Sequence, residues 1–396
     1  MAAPVELDEA KERVCAEVDR RAESLLAVSH DIHAHPEENF AEHHAHDLLT
    51  EVLEGEGLPV QRHAYGLDTA FDARAGAAGP SVAVLLEYDA LPGIGHACGH
   101  NIIAAAGLGA GLASAALADE LGGRVAVLGT PAEEGGGGKV FMVERGAFDG
   151  VDAAMMVHPA DHDLGWMTTI AIHRLDVVFH GESAHAAAAP WLGRNALDAA
   201  VLGYMNVAAL RQHIRPEERV HGVFTDGGDK PNIVPARAAM HWYVRAGTLE
   251  ALQPLKARVL AALEAGAAAT GCEMEHTWLE PPYADLRANP PMCDLYAANA
   301  ARLGRDVAAP TPATEVVGST DMGNVSYAVP SIHPMIAVAP EGVGIHTPEF
   351  AVHAAGPAGD AAVVDGAKAM AMTVVDLWLR PDALAEAARC FEAAGR

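Results

Sequence analysis

Two adjacent carboxylates, Glu133 and Glu134, lie where a catalytic site is expected to form. They follow the apolar run 124–129, which predicts a buried strand, and precede the four glycines 135–138. Ligands of open α/β sheets bind at the carboxyl ends of the strands. Neighbouring acids at such a strand end, beside a conformationally free loop, predict one general base next to one metal ligand.

Three further segments place metal-binding side chains just after an apolar run. Cys98 and His100 follow one such run, His158 follows a second, and His346 lies in the loop after a third. Thiolate, imidazole and carboxylate together suit zinc, with manganese or cobalt as alternatives, whereas calcium and magnesium prefer oxygen ligands. Each residue alone has an ordinary explanation, as a buried thiol or a strand-end histidine. Their recurrence in four segments favours a transition-metal site.

Three other function classes compete with a metal-dependent hydrolase. A cysteine hydrolase built on Cys98 and His100 is disfavoured, because residues two apart at a helix start rarely align as nucleophile and base. A nucleotide site at the glycine run is disfavoured, because Lys139 precedes Val140 instead of Ser or Thr and two glutamates precede the loop. The alternative of a non-catalytic binding protein stays open. Glu133 argues against it, because a pure binder needs no second carboxylate beside the metal ligand Glu134.

The composition excludes several classes of partner. The 396 residues carry a formal net charge of -27, which argues against binding to nucleic acid or to anionic membranes. The N-terminal residues lack the pattern of a signal peptide, and no apolar run is expected to reach a membrane span. Five scattered cysteines argue against a disulfide framework and fit a reducing compartment. We therefore expect a cytoplasmic protein that acts on a small molecule.

The order of predicted elements indicates an α/β fold with an inserted second domain. Alternating strands and helices predict a mainly parallel sheet in a catalytic domain, with 1–169 as its first part and 284–396 as its second. An α+β insert is expected at 170–283, with Pro281 and Pro282 near its end. Within the insert, periodicity predicts strands at 172–179, 240–245 and 272–279 and helices at 195–213 and 249–268.

A histidine-dense stretch near the N-terminus has a simpler explanation than metal binding. Its spacing suits the face of a helix with polar neighbours, although such a cluster could attract a metal ion. The histidines are His30, His33, His35, His43, His44 and His46.

Six stretches resemble one enzyme family, and the resemblance covers nearly the whole chain. They are residues 95–101, 129–139, 156–159, 183–187 with 195–197, 230–235 and 318–321. The family is metallopeptidase family 20, the di-metal aminoacylase and carboxypeptidase group. Within it, the chain is most similar to the sub-branch of p-aminobenzoyl-glutamate hydrolase and of the dipeptidase that cleaves β-alanyl-lysine-type dipeptides. The resemblance implies two divalent metal ions, a ferredoxin-like lid and dimerisation domain in the insert, and a homodimer formed through that lid.

The resemblance also implies roles for individual residues. The metal ligands would be Cys98, His100, Glu134, His158 and His346, with the Cys98 thiolate bridging both ions where distant members use aspartate.

Four further positions match the family's catalytic and substrate-binding residues. Glu133 would be the general base, and His185 would stabilise the oxyanion in the active site of the partner protomer. Asn232 and Arg245 would hold the substrate carboxylate. Ordinary roles stay open for the last three, as a turn cap, a loop-shaping residue and a surface ion pair.

Two positions depart from the family's wider pattern. Asn101 stands where hippurate-hydrolase relatives carry aspartate, and Glu87 with Asp89 stands where distant members have His-x-Asp. Both features fit the dipeptidase-like sub-branch. Asp89 is expected to orient a metal ligand instead of binding metal itself.

The combined residues predict hydrolysis of an amide bond. Divalent metal in such a site lowers the pKa of a water molecule to about 7 in zinc enzymes, and Glu133 would carry that water's proton to the leaving amine. A grip on a free carboxylate by Arg245 and Asn232 predicts dipeptides or N-acyl amino acids as substrates. A p-aminobenzoyl-glutamate-type substrate is the alternative.

Overall fold

The structure, a computed structural model, describes residues 5–311 and 317–395. Contacts divide the chain into unit 1, Met1–Thr168 with Leu286–Arg396, and unit 2, Thr169–Asp285. The insert expected from the sequence covers 170–283.

Unit 1 alternates strands and helices, and unit 2 contains the longest strands. The strands are β1 (Val60–Arg62), β2 (Phe71–Ala75), β3 (Ser81–Leu86), β4 (Arg124–Gly129), β5 (Ala153–Met155), β6 (His158–Ala160), β7 (Thr168–Thr169), β8 (Ala171–His180), β9 (Arg219–Asp226), β10 (Arg237–Ala246), β11 (Glu273–Tyr283), β12 (Val317–Gly318), β13 (Ser331–Ile332) and β14 (Met335–Ala337). The helices are α1 (Leu7–Ala34), α2 (His43–Gly55), α3 (His100–Leu121), α4 (Gly138–Glu144), α5 (Ala196–Leu210), α6 (Leu249–Thr270), α7 (Pro290–Ala301), α8 (Met322–Ser326), α9 (Pro348–Ala354), α10 (Pro357–Leu379) and α11 (Pro381–Ala394).

The main sheet of unit 1 has six strands in the order β1-β2-β4-β3-β5-β13. The neighbours β4, β3, β5 and β13 run parallel, while β1 and β2 are antiparallel additions at one edge. All six residues of β3 are buried, because alternate side chains enter two different cores. Val82, Val84 and Leu86 join one core, and Ala83 and Leu85 join the other. This confirms the predicted mainly parallel α/β sheet.

The helix α3 forms the centre of unit 1, packed against α1 and α10. It is long and apolar enough to cross a membrane by length and composition, so the expectation that no run reaches a membrane span is wrong by that criterion. However, 89% of its apolar window is buried inside the fold. Its apolar character is therefore explained by its place in the core of unit 1.

Several predicted boundaries differ from the observed ones. His158 does not end the preceding strand; it begins β6, which pairs in parallel with β14. The strand β11 continues through Pro281 and Pro282 to Tyr283, with an irregular register after Leu279. Proline is tolerated there because β11 is an edge strand of its sheet. Several elements had no individual sequence prediction, β9 and α11 among them.

Unit 2 is a four-stranded antiparallel sheet with two helices on one face. The strand order is β11-β8-β10-β9. In β10, Met240, Trp242 and Val244 point into a core with α5 and α6, which explains the alternating burial of that strand. The helix α5 begins at Asn195, whose side chain accepts hydrogen bonds from the amides of Leu197 and Asp198.

Candidate metal centre

The turn after β4 presents Glu133 and Glu134 from a constrained backbone. Ala132 has a positive φ of 62°, which is uncommon for a residue other than glycine. Gly138 begins α4 so close to Pro131 that an added Cβ would lie 2.0 Å from the Pro131 carbonyl oxygen. The glycine run therefore lets the chain reverse tightly, and the two carboxylates are held at the end of the strand.

The loop before α3 and the first residue of that helix supply two side chains that could bind metal. Cys98 and His100 are 5% and 0% exposed, so both lie inside the protein. Asp89, also buried, accepts a hydrogen bond from His100 Nδ1 at 2.9 Å, which leaves Nε2 as the ligand atom. The other Asp89 oxygen accepts from the Glu134 amide at 2.9 Å. The expected orienting contact of Asp89 is thus present, and it also ties two loops of the centre together.

The other two histidines come from β6 and from the loop before α9. His158 Nδ1 donates to the Pro159 carbonyl oxygen, and Nε2 lies 3.4 Å from Cys98 Sγ. His346 has a positive φ of 64°, and its amide donates to the Ala97 carbonyl oxygen, so this loop is fastened beside Cys98. The His346 imidazole Nε2 lies 3.3 Å from Glu134 Oε1.

These five side chains form two groups that share one residue. Ligand atoms of Cys98, His100 and His158 all lie within 4.8 Å of one another. Ligand atoms of Cys98, Glu134 and His346 do so as well. Cys98 is common to both groups, so these five side chains could hold two divalent ions with the thiolate available to each.

The donor set fits divalent transition metal for electrostatic reasons as well. Burial and the nearby Glu134 carboxylate raise the pKa of the Cys98 thiol, and burial with the nearby His333 lowers the pKa of His158. Both Glu87 carboxylate oxygens lack a hydrogen bond to another described residue, although Oε1 pairs with the Lys139 ammonium at 2.6 Å. Glu134 Oε1 and His100 Nε2 are also buried, and neither makes a hydrogen bond to another described residue. Buried polar atoms are normally hydrogen-bonded. Cations would satisfy both atoms and stabilise the thiolate that burial disfavours.

Glu133 lies beside this set with a different environment from its neighbour. It is 8% exposed, and burial together with the charges of Glu87 and Glu134 raises the pKa of its carboxyl group. A carboxylate with raised proton affinity at a metal centre is suited to accept and return a proton.

A buried ionic cluster adjoins the centre and was missed by the sequence interpretation. Lys139 Nζ lies 2.6 Å from Glu87 Oε1 and 2.8 Å from Asp321 Oδ1, and all three residues are fully buried. The sequence could have pointed to this cluster, because each of its three residues lies in or near a stretch that resembles the metallopeptidase family or departs from it. The sequence interpretation considers Lys139 only as a phosphate-binding residue, a role that the observed ion pairs argue against.

Asn101 has a structural role that aspartate could not fill. Its side-chain amide donates to Ser29 Oγ at 2.9 Å and to the Ala354 carbonyl oxygen at 3.0 Å. The bond to the carbonyl oxygen needs an N–H donor, which an ionised carboxylate lacks, whereas the Ser29 hydroxyl could donate to either side chain. The departure at this position therefore reflects how α3 is anchored to α1 and α9.

The three remaining predicted site residues belong to unit 2. His185 is exposed and its Nδ1 accepts from the amides of Ala187 and Ala188, so the neutral ring carries its proton on Nε2. Asn232 lies beside it, since its carbonyl oxygen accepts from the Ala186 amide.

Arg245 is separated from both residues within unit 2. Asn232 lies near the Arg237 end of β10, because the next turn of chain leads directly into that strand. Arg245 lies eight residues further along the strand, roughly 26 Å away at about 3.3 Å per residue. Its guanidinium stands over the Tyr243 ring, 5.8 Å from the centroid. One copy of unit 2 therefore does not bring Arg245 and Asn232 together. Their expected joint role in holding a substrate carboxylate stays a prediction.

The histidine-dense stretch is divided between α1, α2 and the connection between them, and most of its histidines are at least partly exposed, but His46 is buried at 1% exposure. Asp31, His35 and His44 have ligand atoms within 4.8 Å of one another. His44 Nε2 lies 2.5 Å from Asp31 Oδ1, and all three side chains are substantially exposed. This surface group is distinct from the buried centre.

The pattern of Peptidase family M20/M25/M40 matches residues 83–376 of the chain. That span includes every residue of the centre described above. The chain belongs to this family. It is therefore a metallopeptidase, an amide-bond hydrolase, and the alternatives of a cysteine hydrolase, a nucleotide-binding protein and a non-catalytic binding protein are set aside.

Individual relatives agree with the family assignment. A Xaa-Arg dipeptidase of Mus musculus is 40% identical over 97% of this chain and 92% of its own length. One component of the p-aminobenzoyl-glutamate hydrolase of Escherichia coli is 36% identical over 63% of this chain and 56% of its own length. A dinuclear metal-binding peptidase of family M20 from Bacillus subtilis has the same fold, with a TM-score of 0.69, 22% identity and coverage of 91% of this chain and 99% of that one.

Proposed function

We propose that this metallopeptidase hydrolyses dipeptides that carry a free C-terminal carboxylate, with a basic C-terminal residue preferred. The observation that carries the proposal is the pair of ligand groups sharing Cys98, with Glu133 next to the ligand Glu134. The preference for a basic residue rests on the relative named a Xaa-Arg dipeptidase and on the net charge of -27, which attracts cationic substrates.

The roles of the protein side chains follow from their geometry. Cys98, His100, Glu134, His158 and His346 would hold two divalent ions, with zinc proposed first and manganese or cobalt as alternatives. Bound divalent metal supplies Lewis acidity, which polarises an amide carbonyl and acidifies water. Glu133 accepts the proton of the attacking water and returns it to the leaving amine nitrogen as the C–N bond breaks. Its raised pKa suits both steps.

Substrate binding requires residues from two chains on this proposal. Arg245 lies at the opposite end of β10 from His185 and Asn232, so one copy of unit 2 cannot contribute all three to one small substrate. Arg245 of one protomer would bind the substrate carboxylate together with Asn232 of its partner. His185 of the partner, with its proton on Nε2, would donate to the developing oxyanion.

Unit 2 carries a surface suited to such a homodimer. The strand β9 is an edge strand, and its Val223 and Phe224 are 60% and 42% exposed. The helix α5 continues this apolar surface with Met205, which is 59% exposed, and the Tyr204 ring stacks near Phe224. An exposed apolar edge strand is a site for pairing with a second chain. We propose pairing of two copies through β9 and α5, in the cytoplasm.

The first experiment measures amine release from a substrate panel after reconstitution with zinc, manganese or cobalt. The panel contains Xaa-Arg, Xaa-Lys and neutral dipeptides, p-aminobenzoyl-glutamate, N-acyl amino acids and a C-terminally amidated dipeptide. We expect metal-dependent cleavage, fastest for basic dipeptides and nearly absent for the amide. Preference for p-aminobenzoyl-glutamate would support the second relative's activity instead, and equal cleavage of the amidated substrate would contradict the carboxylate clamp.

The variant Glu133→Gln tests the general base. We expect turnover to fall by a factor on the order of 10³ or more, with both metal equivalents retained, because the amide cannot accept the proton. Normal turnover in this variant would contradict the assignment.

A further inference from the structure

The buried cluster of Glu87, Lys139 and Asp321 has no role in the reaction described above. Full burial of one ammonium and two carboxylates is costly unless the charges are paired and geometrically fixed. Here they are fixed closely, since Lys139 Nζ contacts both carboxylates and the Lys139 amide also donates to Asp321 Oδ2 at 2.9 Å. Burial alone would lower the pKa of Lys139, but the carboxylates of Asp321 and Glu87 raise it. The two ion pairs therefore favour the charged ammonium inside the protein.

The cluster joins three separate segments around the metal centre. Glu87 directly follows β3, and Lys139 is the second residue of α4, five positions after Glu134. Asp321 immediately precedes α8 in the second part of unit 1. One ammonium thus connects the turn that carries Glu133 and Glu134 with the strand end beside it and with a distant part of the sequence.

Glu87 lies within reach of the metal ligands. Its Oε2 is 3.5 Å from His100 Nε2, and oxygen and nitrogen atoms of Glu87, His100 and Glu133 lie within 4.8 Å of one another. Two ligands on one zinc ion are separated by roughly 3.4 Å when the bonds are about 2.1 Å long. An unrestrained Glu87 carboxylate could therefore join His100 on the same ion, and it would then occupy a position that substrate or water needs.

We propose that Lys139 is a positioning residue that holds Glu87 beside the metal centre without letting it become a ligand. The inference rests on the proposed ligand set. The ammonium pairs with one Glu87 oxygen at 2.6 Å and compensates its charge. Glu87 would then be kept from joining His100 as a ligand when a divalent ion is bound. Asp321 completes the restraint by holding both the side chain and the backbone of Lys139.

Cobalt(II) binding and absorption test this role without relying on activity. All variants carry His35→Ala and His44→Ala, which remove the exposed surface group and restrict binding to the buried centre. The parent protein should bind two cobalt ions and show a thiolate charge-transfer band. Absence of that band in the parent would contradict the proposed ligand set itself, whereas the outcomes below concern Lys139 alone.

The variant Lys139→Met removes the cation with little change in side-chain length. We expect one cobalt ion to bind about tenfold more tightly or better, because Glu87 becomes a ligand, and the d–d bands to weaken as the coordination number rises. Reconstituted with zinc, this variant should lose at least about tenfold in kcat with little change in KM. The double variant Lys139→Met/Glu87→Gln should recover the parent's cobalt spectrum and affinity.

Three results would overturn the proposal. Parental cobalt spectrum and affinity in Lys139→Met would show that the lysine does not restrain Glu87. Equal loss of cobalt binding in the single and double variants would indicate a purely structural cluster. Glu87→Gln alone gives a second test should Lys139→Met fail to fold, since it leaves the Lys139–Asp321 pair intact. It should retain the parental spectrum and affinity, and loss of one ion would identify Glu87 as a ligand and contradict the proposal.

Discussion

At the scale of single residues, the metal centre depends on side chains that are not themselves ligands. Asp89 fixes the tautomer of His100 with one oxygen and the position of Glu134 with the other. On the proposal above, Lys139 likewise acts on the centre through Glu87. Sequence stretches around the centre are therefore constrained by hydrogen bonding as much as by metal binding.

The variant Asp89→Asn tests the orienting role. The amide retains one acceptor oxygen but loses the negative charge that favours the His100 Nδ1 proton, so metal affinity should fall by about 10- to 100-fold. Isothermal titration with zinc would measure it. The exposed residue Asp68 provides the control Asp68→Asn, which should bind as the parent does. Equal affinity in both variants would contradict the role of Asp89.

At the scale of secondary-structure elements, α3 is fixed at its first turn by Asn101. Replacement by aspartate removes the hydrogen bond donated to the Ala354 carbonyl oxygen and places a carboxylate next to that oxygen in a fully buried site. We expect Asn101→Asp to lose about 3 kcal/mol of unfolding free energy. Urea denaturation would measure the loss. The variant Asn101→Ser keeps one donor, so its unfolding free energy should lie between those of the parent and Asn101→Asp. A loss below about 1 kcal/mol would contradict the anchoring role.

The sheet of unit 2 contains a histidine that should make stability depend on pH. His173 is 3% exposed, its Nδ1 accepts from Lys256 Nζ at 2.7 Å, and Arg174 and Glu280 also face it. Burial, then Lys256 and Arg174, lowers the pKa of His173 to about 4. The pKa of His173 in the folded protein lies below the unfolded value of about 6.5. The stability that the neutral ring contributes is therefore complete above pH 6.5 and is lost as the pH falls toward 4.

Thermal melting at pH 7 and at pH 4.5 checks that expectation. Between pH 7 and pH 4.5, protonation of His173 should lower the unfolding free energy of the parent by on the order of 2 kcal/mol. The unfolding free energy of His173→Gln should fall correspondingly less. The exposed His276 provides the matched control His276→Gln. Parallel pH profiles for the parent and His173→Gln would contradict the assignment.

At the scale of the whole molecule, the distance along β10 makes the dimer a functional requirement of the proposal. Arg245→Ala and His185→Ala should each inactivate a homodimer. A heterodimer that combines the two variants has one site with both intact residues and one with neither. Co-expressed with different tags and purified, it should regain about half of the parental activity. No recovery, with the heterodimer confirmed by mass, would contradict a site shared between protomers.

The sequence by itself determined the chemistry of this protein and the class of its fold. Cys98, Glu134 and His346 lie in loops that follow predicted strands, His100 begins α3 and His158 begins β6, and parallel sheets collect such residues at one edge. Strands with strong alternation, such as β8 and β10, were also predictable. The edge strand β9 was not, because most of its residues are exposed and its alternation is weak.

Only the tertiary structure decided which distant residues meet. The ion pairs of Lys139 join residues 52 and 182 positions away in the sequence, 139 − 87 and 321 − 139, and no local pattern encodes such contacts. The separation of Arg245 from Asn232 arises in the same way, because they lie close in sequence but β10 extends between them. Local periodicity specifies strands and helices, whereas burial and charge pairing are properties of the packed chain.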